Sequence, residues 1–399
     1  MLKPRAGHQL RLLQGATALF AAMVESMATS QHEIRLETYI FDLTGGGETV
    51  AEALVQAAQR GVSVYLVADG VGTPGFPAPW PAKLNQAGVH WRIFSPLGGF
   101  GLLVPSQWRR LHRKLCVIDG QEAFCGGINV LDDWHDPNHG VLEAPRFDFA
   151  VQVRGPLVQQ VHAAMAQFWW RLQATERIQK ADLAGAKKAL QKSAPFKIPV
   201  GHSPVDAFGA QAELVLRDNL RHRAGIERAY RLALSSARED VVIANAYFLP
   251  GRKIRRGLIH AAQRGVRVRL LLQGRYEYFM QHHAAHALYG PLLAAGIEIY
   301  EYTPSFMHAK VAVIDGHWAT VGSSNMDPLS LLLAREANVV IQDPAFASDL
   351  RHALELAIDQ HAVQVDAVRH AQRPRRLKLF DVAAAWLMRV LLFLNGKRY

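Results

Sequence analysis

Two stretches of this chain spell the same skeleton. LHRKLCVIDGQEAFCGGINVL occupies residues 111–131 and MHAKVAVIDGHWATVGSSNMD residues 307–327, so a histidine, lysine, aspartate, glycine and asparagine recur at identical spacing, 196 positions apart. The repetition reaches beyond the motif: AAQRGVSVYLVADG (57–70) returns as AAQRGVRVRLLLQG (261–274), and QAGVHWRIFSP (86–96) as AAGIEIYEYTP (294–304). Order is kept while the offsets drift, which is what a duplicated domain with variable loops produces. A chain of 399 residues, half of them hydrophobic, has material for two cores of ordinary size.

Each half reads as a strand, a helix ending in Gln-Arg-Gly, and a second strand, an order that implies a parallel crossover with glycine just past the helix cap. The motif then adds a strand and its return, and a further helix opens at Pro156 or Pro344. The expected fold is therefore α/β: two pseudo-symmetric domains, each a mixed, mainly parallel sheet flanked by helices, facing each other across one site. Residues 1–180 form the first domain and 212–360 the second. Residues 181–211, with Lys187, Lys188, Lys192 and Lys197 among Pro195, Pro199 and Pro204, form a linker or an elaborated loop. Residues 361–399 form a basic amphipathic tail that either lies in a headgroup layer or docks on the core. ATALFAAMV (16–24) imitates a short signal peptide, but Glu25 ends it and no cleavage site follows, so it reads as a first amphipathic helix.

A formal charge of +11 and a pI of about 9.8 make anions the expected partners: nucleic acid, anionic lipid headgroups or phosphorylated substrates. Two cysteines, Cys116 and Cys125, are too few for a disulfide framework and suit a reducing compartment as small core residues.

The chemistry follows from alternation. His112 and Lys114 are two apart and share a strand face, as do His308 and Lys310. Asp119 and Asp315 complete the motif and are counted with the catalytic set, yet each precedes a glycine after a strand, the signature of a hairpin turn and of a supporting role. The returning strand presents Gly-Gly-Ile-Asn129 or Gly-Ser323-Ser-Asn325 beside the same pair. Two facing halves would gather two imidazoles, two ammonium groups and two amides around one phosphodiester. Lys114, Lys310, Asn129, Asn325 and Ser323 are the expected donors to its non-bridging oxygens, with no metal or other cofactor required. One imidazole can attack phosphorus while the other protonates the leaving alkoxide and later deprotonates the incoming alcohol or water.

The doubled pattern H-x-K-x4-D-x6-G-x-x-N resembles the signature of the phospholipase D superfamily. Within it RDNLRHRAGIERAY (217–230), IANAYFLPG (243–251) and HWATVGSSNMDPLSLLLAREANVVI (317–341) are similar to bacterial cardiolipin synthases of the shorter type without N-terminal membrane spans. The resemblance implies two phospholipase D-like domains and transfer of a phosphatidyl group to phosphatidylglycerol. It implies that His112 is the nucleophile and His308 the acid and base, an order that the residues alone do not impose. It also implies that an acid downstream of each asparagine, here Asp148 and Glu336, holds the histidine of the opposite half. The chain departs from the family pattern at Gly127, where Ser323 stands in the second copy, so the halves are expected to differ.

The weaker patterns are expected to be structural. His282 and His286 have a metal-like helical spacing without a third ligand and read as a site-rim helix. LGGFGLLVPSQWRRL (97–111), running into the first motif, could dip its apolar part into lipid while its arginines meet phosphate, or be a buried loop. Phospholipids and an anionic membrane surface are thus the expected partners, on the cytoplasmic face of a bacterial cell membrane. A hydrolase, or a nuclease disfavoured by basic segments poor in aromatics, are the rival readings.

Overall fold

The computed structural model describes residues 5–96, 108–136, 139–193, 209–218, 224–275, 279–327 and 334–394. The first half runs from the strand Arg5–Gln14 and helix Gly15–Thr29 through the strands Glu33–Thr38, Ser63–Asp69 and His90–Phe94, with the helices Gly46–Gln59 and Trp80–Ala87 between them. The motif supplies the hairpin of Lys114–Ile118 and Glu122–Gly126, and the strand Phe149–Arg154 with the helix Leu157–Gln179 closes the half. The second half repeats this order from Ala210–Arg217 to Pro344–His361, with its hairpin at Lys310–Ile314 and Trp318–Gly322.

Local chemistry explains these boundaries. The two Gln-Arg-Gly segments end their helices as expected: Gly61 and Gly265 take φ of +92° and +89°, and the next residue, Val62 or Val266, donates its N–H back to Ala57 or Ala261 at 3.1 Å. Asp343 caps the last helix of the second half by accepting from Phe346 N at 2.8 Å, and Pro344 follows in the first turn.

All these strands join one sixteen-stranded sheet. Its two flanks are parallel, Glu33–Thr38 with Ser63–Asp69 and His90–Phe94, and Asp240–Asn245 with Arg267–Gln273 and Glu298–Tyr302. Between the flanks the strands along the sheet run antiparallel, which corrects the expectation of a mainly parallel sheet. Crossover helices make parallel neighbours only where they occur. The motif hairpins, the strands returning from them, and the seam between Arg5–Gln14 and Ala210–Arg217 all reverse direction. The strand Arg5–Gln14 at that seam escaped the sequence reading because its apolar residues are sparse.

The helices that precede each motif cover one sheet face in two separate cores, one per half. The opposite face is shared. There Leu157–Gln179 and Pro344–His361 bury a single cluster that includes Leu115, Val117, Val151, Val311, Val313 and Val339, and so weld the halves. Cys116 and Cys125 lie inside these cores, and burial pushes the Cys125 thiol up to about 12.

Residues 183–192, expected in a linker, form a helix against Leu157–Gln179. The tail is the helix Arg375–Leu394. It docks on Phe279–Leu293 through Ala384 and Ala385 against Ala284, and Asp381 meets His283 at 2.7 Å and Arg373 at 2.9 Å. Its other side exposes Leu379, Phe380, Val382 and Trp386. No helix among the described residues is long and apolar enough to cross a membrane.

Asp119 and Asp315 sit in the hairpin turns at φ +51° and +50°, each followed by a glycine of positive φ, as a type I′ turn requires. The Asp119 carboxylate accepts from the N–H groups of Gln31, His32 and Glu33 at 2.8–2.9 Å, and Asp315 does the same for Arg238, Glu239 and Asp240. Burial opposes ionisation, but these amides outweigh it and hold both carboxyls below their usual range. A carboxyl depressed on folding stabilises above its unfolded value, near 4, and that contribution is lost as pH falls through the folded value. Asp119→Asn should therefore lower the unfolding free energy by about 2 kcal/mol at pH 7. Denaturant titrations should show the gap closing as pH falls below 4, with turnover per folded molecule retained; a lost turnover at unchanged stability would return Asp119 to the chemistry.

Candidate active site

The two motif strands end at the same place. Leu111 and His112 come alongside Ala334–Gln342 of the other half, with His112 N donating to Arg335 O at 3.1 Å. In mirrored fashion His308 N donates to Phe147 O at 2.9 Å, just ahead of the strand Phe149–Arg154. Each histidine is thus docked by its backbone against the half that did not supply it.

The side chains cross over as well. His112 Nδ1 lies 3.1 Å from Glu336 Oε2, and His308 Nδ1 lies 2.7 Å from Asp148 Oδ2. With Nδ1–H directed at a carboxylate, Nε2 of each ring carries the lone pair. The expected exchange of acids between halves is present at both histidines. Each histidine is also acted on by groups of the other motif: Lys310 lowers His112, and Lys114 and His112 lower His308.

Lys114 and Lys310 are buried, and each donates Nζ to the carbonyl oxygen of its own motif histidine. Burial, opposed by Glu336 and aided by Lys310, draws the Lys114 ammonium down to about 7. Burial also lowers both imidazoles; His308 falls further, since Lys310, Lys114, His112 and Arg146 all act downward on it, whereas Glu336 partly restores His112. A site in which cations are this costly is one whose positive charge an incoming anion relieves.

The two carboxylates differ in their surroundings. Ser323, expected among the phosphate donors, instead directs its one hydroxyl hydrogen at Glu336 Oε2. Burial would raise Glu336, but His112, Lys114 and this hydroxyl hold it below its usual range. Asp148 has no such hydroxyl, and burial pushes it up to about 7 against Lys310 and the Phe149 N–H. A Cβ at Gly127 would stand 2.4 Å and 2.6 Å from the two Asp148 oxygens, so serine cannot occupy this position without moving the acid. The glycines before them, Gly126 and Gly322, are excluded from carrying a side chain by Ala150 and Asn338.

Asn129 is buried, and its Oδ1 accepts from Ile40 N at 3.2 Å, which leaves the amide hydrogens to donate elsewhere. Asn325 is buried two residues beyond Ser323. Asp119 and Asp315 are not part of this cluster. Each stands at the far end of a five-residue strand, roughly 16 Å along from its lysine at 3.3 Å per residue.

Sequence reasoning missed three supports. Tyr39 places its ring 5.1 Å from that of His112 and 5.6 Å from Lys114 Nζ. Asp69, wholly buried, accepts from Leu111 N at 2.6 Å, and Gln273 accepts from Met307 N at 3.2 Å, so each fixes the residue before a motif histidine. The last two occupy the same place in the repeat, before the glycine of VADG and LLQG, and a polar residue ending a buried strand twice was the available signal. His282 and His286 place their rings 4.3 Å apart, tilted at 58°, on the helix that receives the tail, and among the described residues no group of three or more His, Cys, Asp or Glu side chains could hold a metal ion. The segment 97–107 lies outside the described residues.

Comparison with known proteins gives concordant matches. A family model described as "Cardiolipin synthase, PLD-like domain" matches residues 23–169 and 230–356. Cardiolipin synthase B of Salmonella typhi is 37% identical over 371 residues, which span 91% of this chain and 83% of that protein, and cardiolipin synthase B of Escherichia coli (strain K12) gives the same figures. Among solved structures, phosphatidylserine synthase of Haemophilus influenzae Rd KW20 aligns with a TM-score of 0.68 over 97% of this chain and 96% of that one; at 12% identity this is a likeness of fold.

Gly127→Ala should displace Asp148 and lower turnover by at least tenfold, as misplacing a catalytic group does. Ser323→Ala removes a hydrogen bond without adding bulk and should cost less. Steady-state rates of the two variants, at matched melting temperature, check the order.

Proposed function

The chain belongs to the cardiolipin synthase family of phospholipase D-like proteins, and from that premise we propose that it transfers a phosphatidyl group to the headgroup hydroxyl of phosphatidylglycerol, making cardiolipin. The observation that carries this reading is the reciprocal pinning of His112 by Glu336 and His308 by Asp148, which leaves the Nε2 lone pair of each ring beside buried Lys114 and Lys310.

In the first step the His112 Nε2 lone pair attacks phosphorus. The bond from phosphorus to the leaving alcohol breaks, and protonated His308 gives that oxygen its proton. Lys114, Lys310, Asn129 and Asn325 donate to the non-bridging oxygens, where negative charge collects in the transition state. Neutral His308 then takes the proton from the incoming hydroxyl, whose oxygen attacks phosphorus as the nitrogen–phosphorus bond breaks. Exchange of one alcohol for another is nearly balanced in energy, so no nucleotide is consumed.

The tail helix supports peripheral binding to an anionic membrane surface, on the cytoplasmic face of the cell membrane. Its docked side is held by Asp381 and the two alanines, while Leu379 and Trp386, 70% and 64% exposed, stand beside exposed Arg375, Arg376 and Lys378. Apolar bulk flanked by cations matches a headgroup layer.

Incubation of the purified protein with phosphatidylglycerol vesicles and a chelator should yield cardiolipin and glycerol by mass spectrometry. Phosphatidic acid alone would mean hydrolysis. His112→Ala and His308→Ala should each abolish turnover, since neither step proceeds without both rings; activity in either variant would end the shared-site mechanism. Deletion of residues 373–399 should reduce co-sedimentation with anionic vesicles while sparing turnover of a soluble diester. Unchanged sedimentation would remove the tail from the membrane.

A further inference from the structure

In the second half a recess lies between the helix Gly225–Ser236 and residues Ser324 to Met326. Ile226, Ile254, Met326, Tyr230 and Asn325 are among its lining residues, and its volume of about 20 Å3 suits one hydroxyl-sized group. Two of those residues bring polar atoms that are buried and, among the described residues, unpaired: the Tyr230 hydroxyl and Asn325 Oδ1.

Comparison of the halves shows that neither atom is there for packing. The first helix of each half begins at a glycine, Gly15 or Gly225, and the residue five places on is Phe20 in one half and Tyr230 in the other. Both rings are buried, so a phenyl group meets the steric demand and the hydroxyl is an addition with a desolvation cost. Tyr230 packs edge-on to Trp318 at 5.8 Å, which fixes its ring. On the asparagine side, Asn129 is anchored by Ile40 N, whereas Asn325 Oδ1 receives no donor. The half that lacks the backbone anchor is the half with the extra hydroxyl.

We propose that this recess is a hydroxyl-binding subsite, in which one bound hydroxyl accepts from the Tyr230 O–H and donates to Asn325 Oδ1. That bridge turns the Asn325 amide so that its N–H groups face the phosphate, and it makes Tyr230 a positioning residue. The hydroxyl comes either from water or from the alcohol that receives the phosphatidyl group; both have one donor and one acceptor to offer. The role assigned to Asn325 rests on the function proposed above, whereas the occupancy of the recess does not.

Two measurements test it. The first is a high-resolution crystal structure of the wild-type protein, with and without glycerol. Density for a hydroxyl oxygen within hydrogen-bond distance of both atoms is expected, as water in one crystal and as water or a glycerol hydroxyl in the other. A dry recess in both overturns the subsite, whatever reaction the enzyme proves to catalyse. The second is Tyr230→Phe, which mimics Phe20 and should keep its melting temperature. Turnover should fall roughly tenfold, the scale expected when a catalytic donor loses its orientation. If transfer to phosphatidylglycerol falls while hydrolysis persists, the hydroxyl belongs to the accepting alcohol; if both fall together, it is water. Wild-type rates, or a loss of rate that follows a loss of melting temperature, overturn the positioning role.

Discussion

The exchange of carboxylates between the halves is the interaction on which the rest depends. An imidazole buried beside two lysines would be a poor base and a disordered one; a carboxylate at Nδ1 fixes its tautomer, its orientation and its basicity together. Because Glu336 serves His112 and Asp148 serves His308, neither half carries a complete site. Their relative placement must therefore be held within a fraction of an ångström. The continuous sheet, the seam at Arg5–Gln14 and the apolar cluster under Leu157–Gln179 and Pro344–His361 supply that rigidity.

Charge placement follows from the same demand. Lys114 and Lys310 are almost without solvent, and their nearest compensation is the carbonyl of a neighbouring histidine and the two shared acids. The chain as a whole carries a formal charge of +11, which suits attraction of an anionic phosphodiester. The two halves are nevertheless unequal. Ser323 supports Glu336, which stays below its usual range, while Asp148, with glycine at the matching position, is pushed up by burial to about 7. A symmetric scaffold carries an asymmetric pair, as a reaction with distinct attacking and proton-transferring groups requires.

Much of this was legible beforehand because duplication exposes it. His112, Lys114, His308 and Lys310 could be placed on one face from their two-residue spacing, and Asp119 and Asp315 could be read as turn residues from the glycine behind them. Asp148 and Glu336 were found by family resemblance, since nothing in a strand sequence says that an acid will meet a ring from another domain. That Ser323 would face Glu336 was hidden for the same reason: a hydroxyl's partner is decided by what lies across from it. Tyr39, Asp69 and Gln273 act through contacts 30 to 80 residues away in sequence from the groups they support, and only the repeated polar strand end of Asp69 and Gln273 left a sign of this.

The sequence by itself determined the two-fold repeat, the local strand and turn geometry around each motif, and the identity of the chemical groups, because these depend on residue type and near neighbours. Strand direction across the sheet, the pairing of each histidine with the opposite acid, the exclusion of a side chain at Gly127, and the docking of the tail through Asp381 were decided only by tertiary structure. Those outcomes turn on which distant surfaces pack together, and burial then sets the charge that each group can bear.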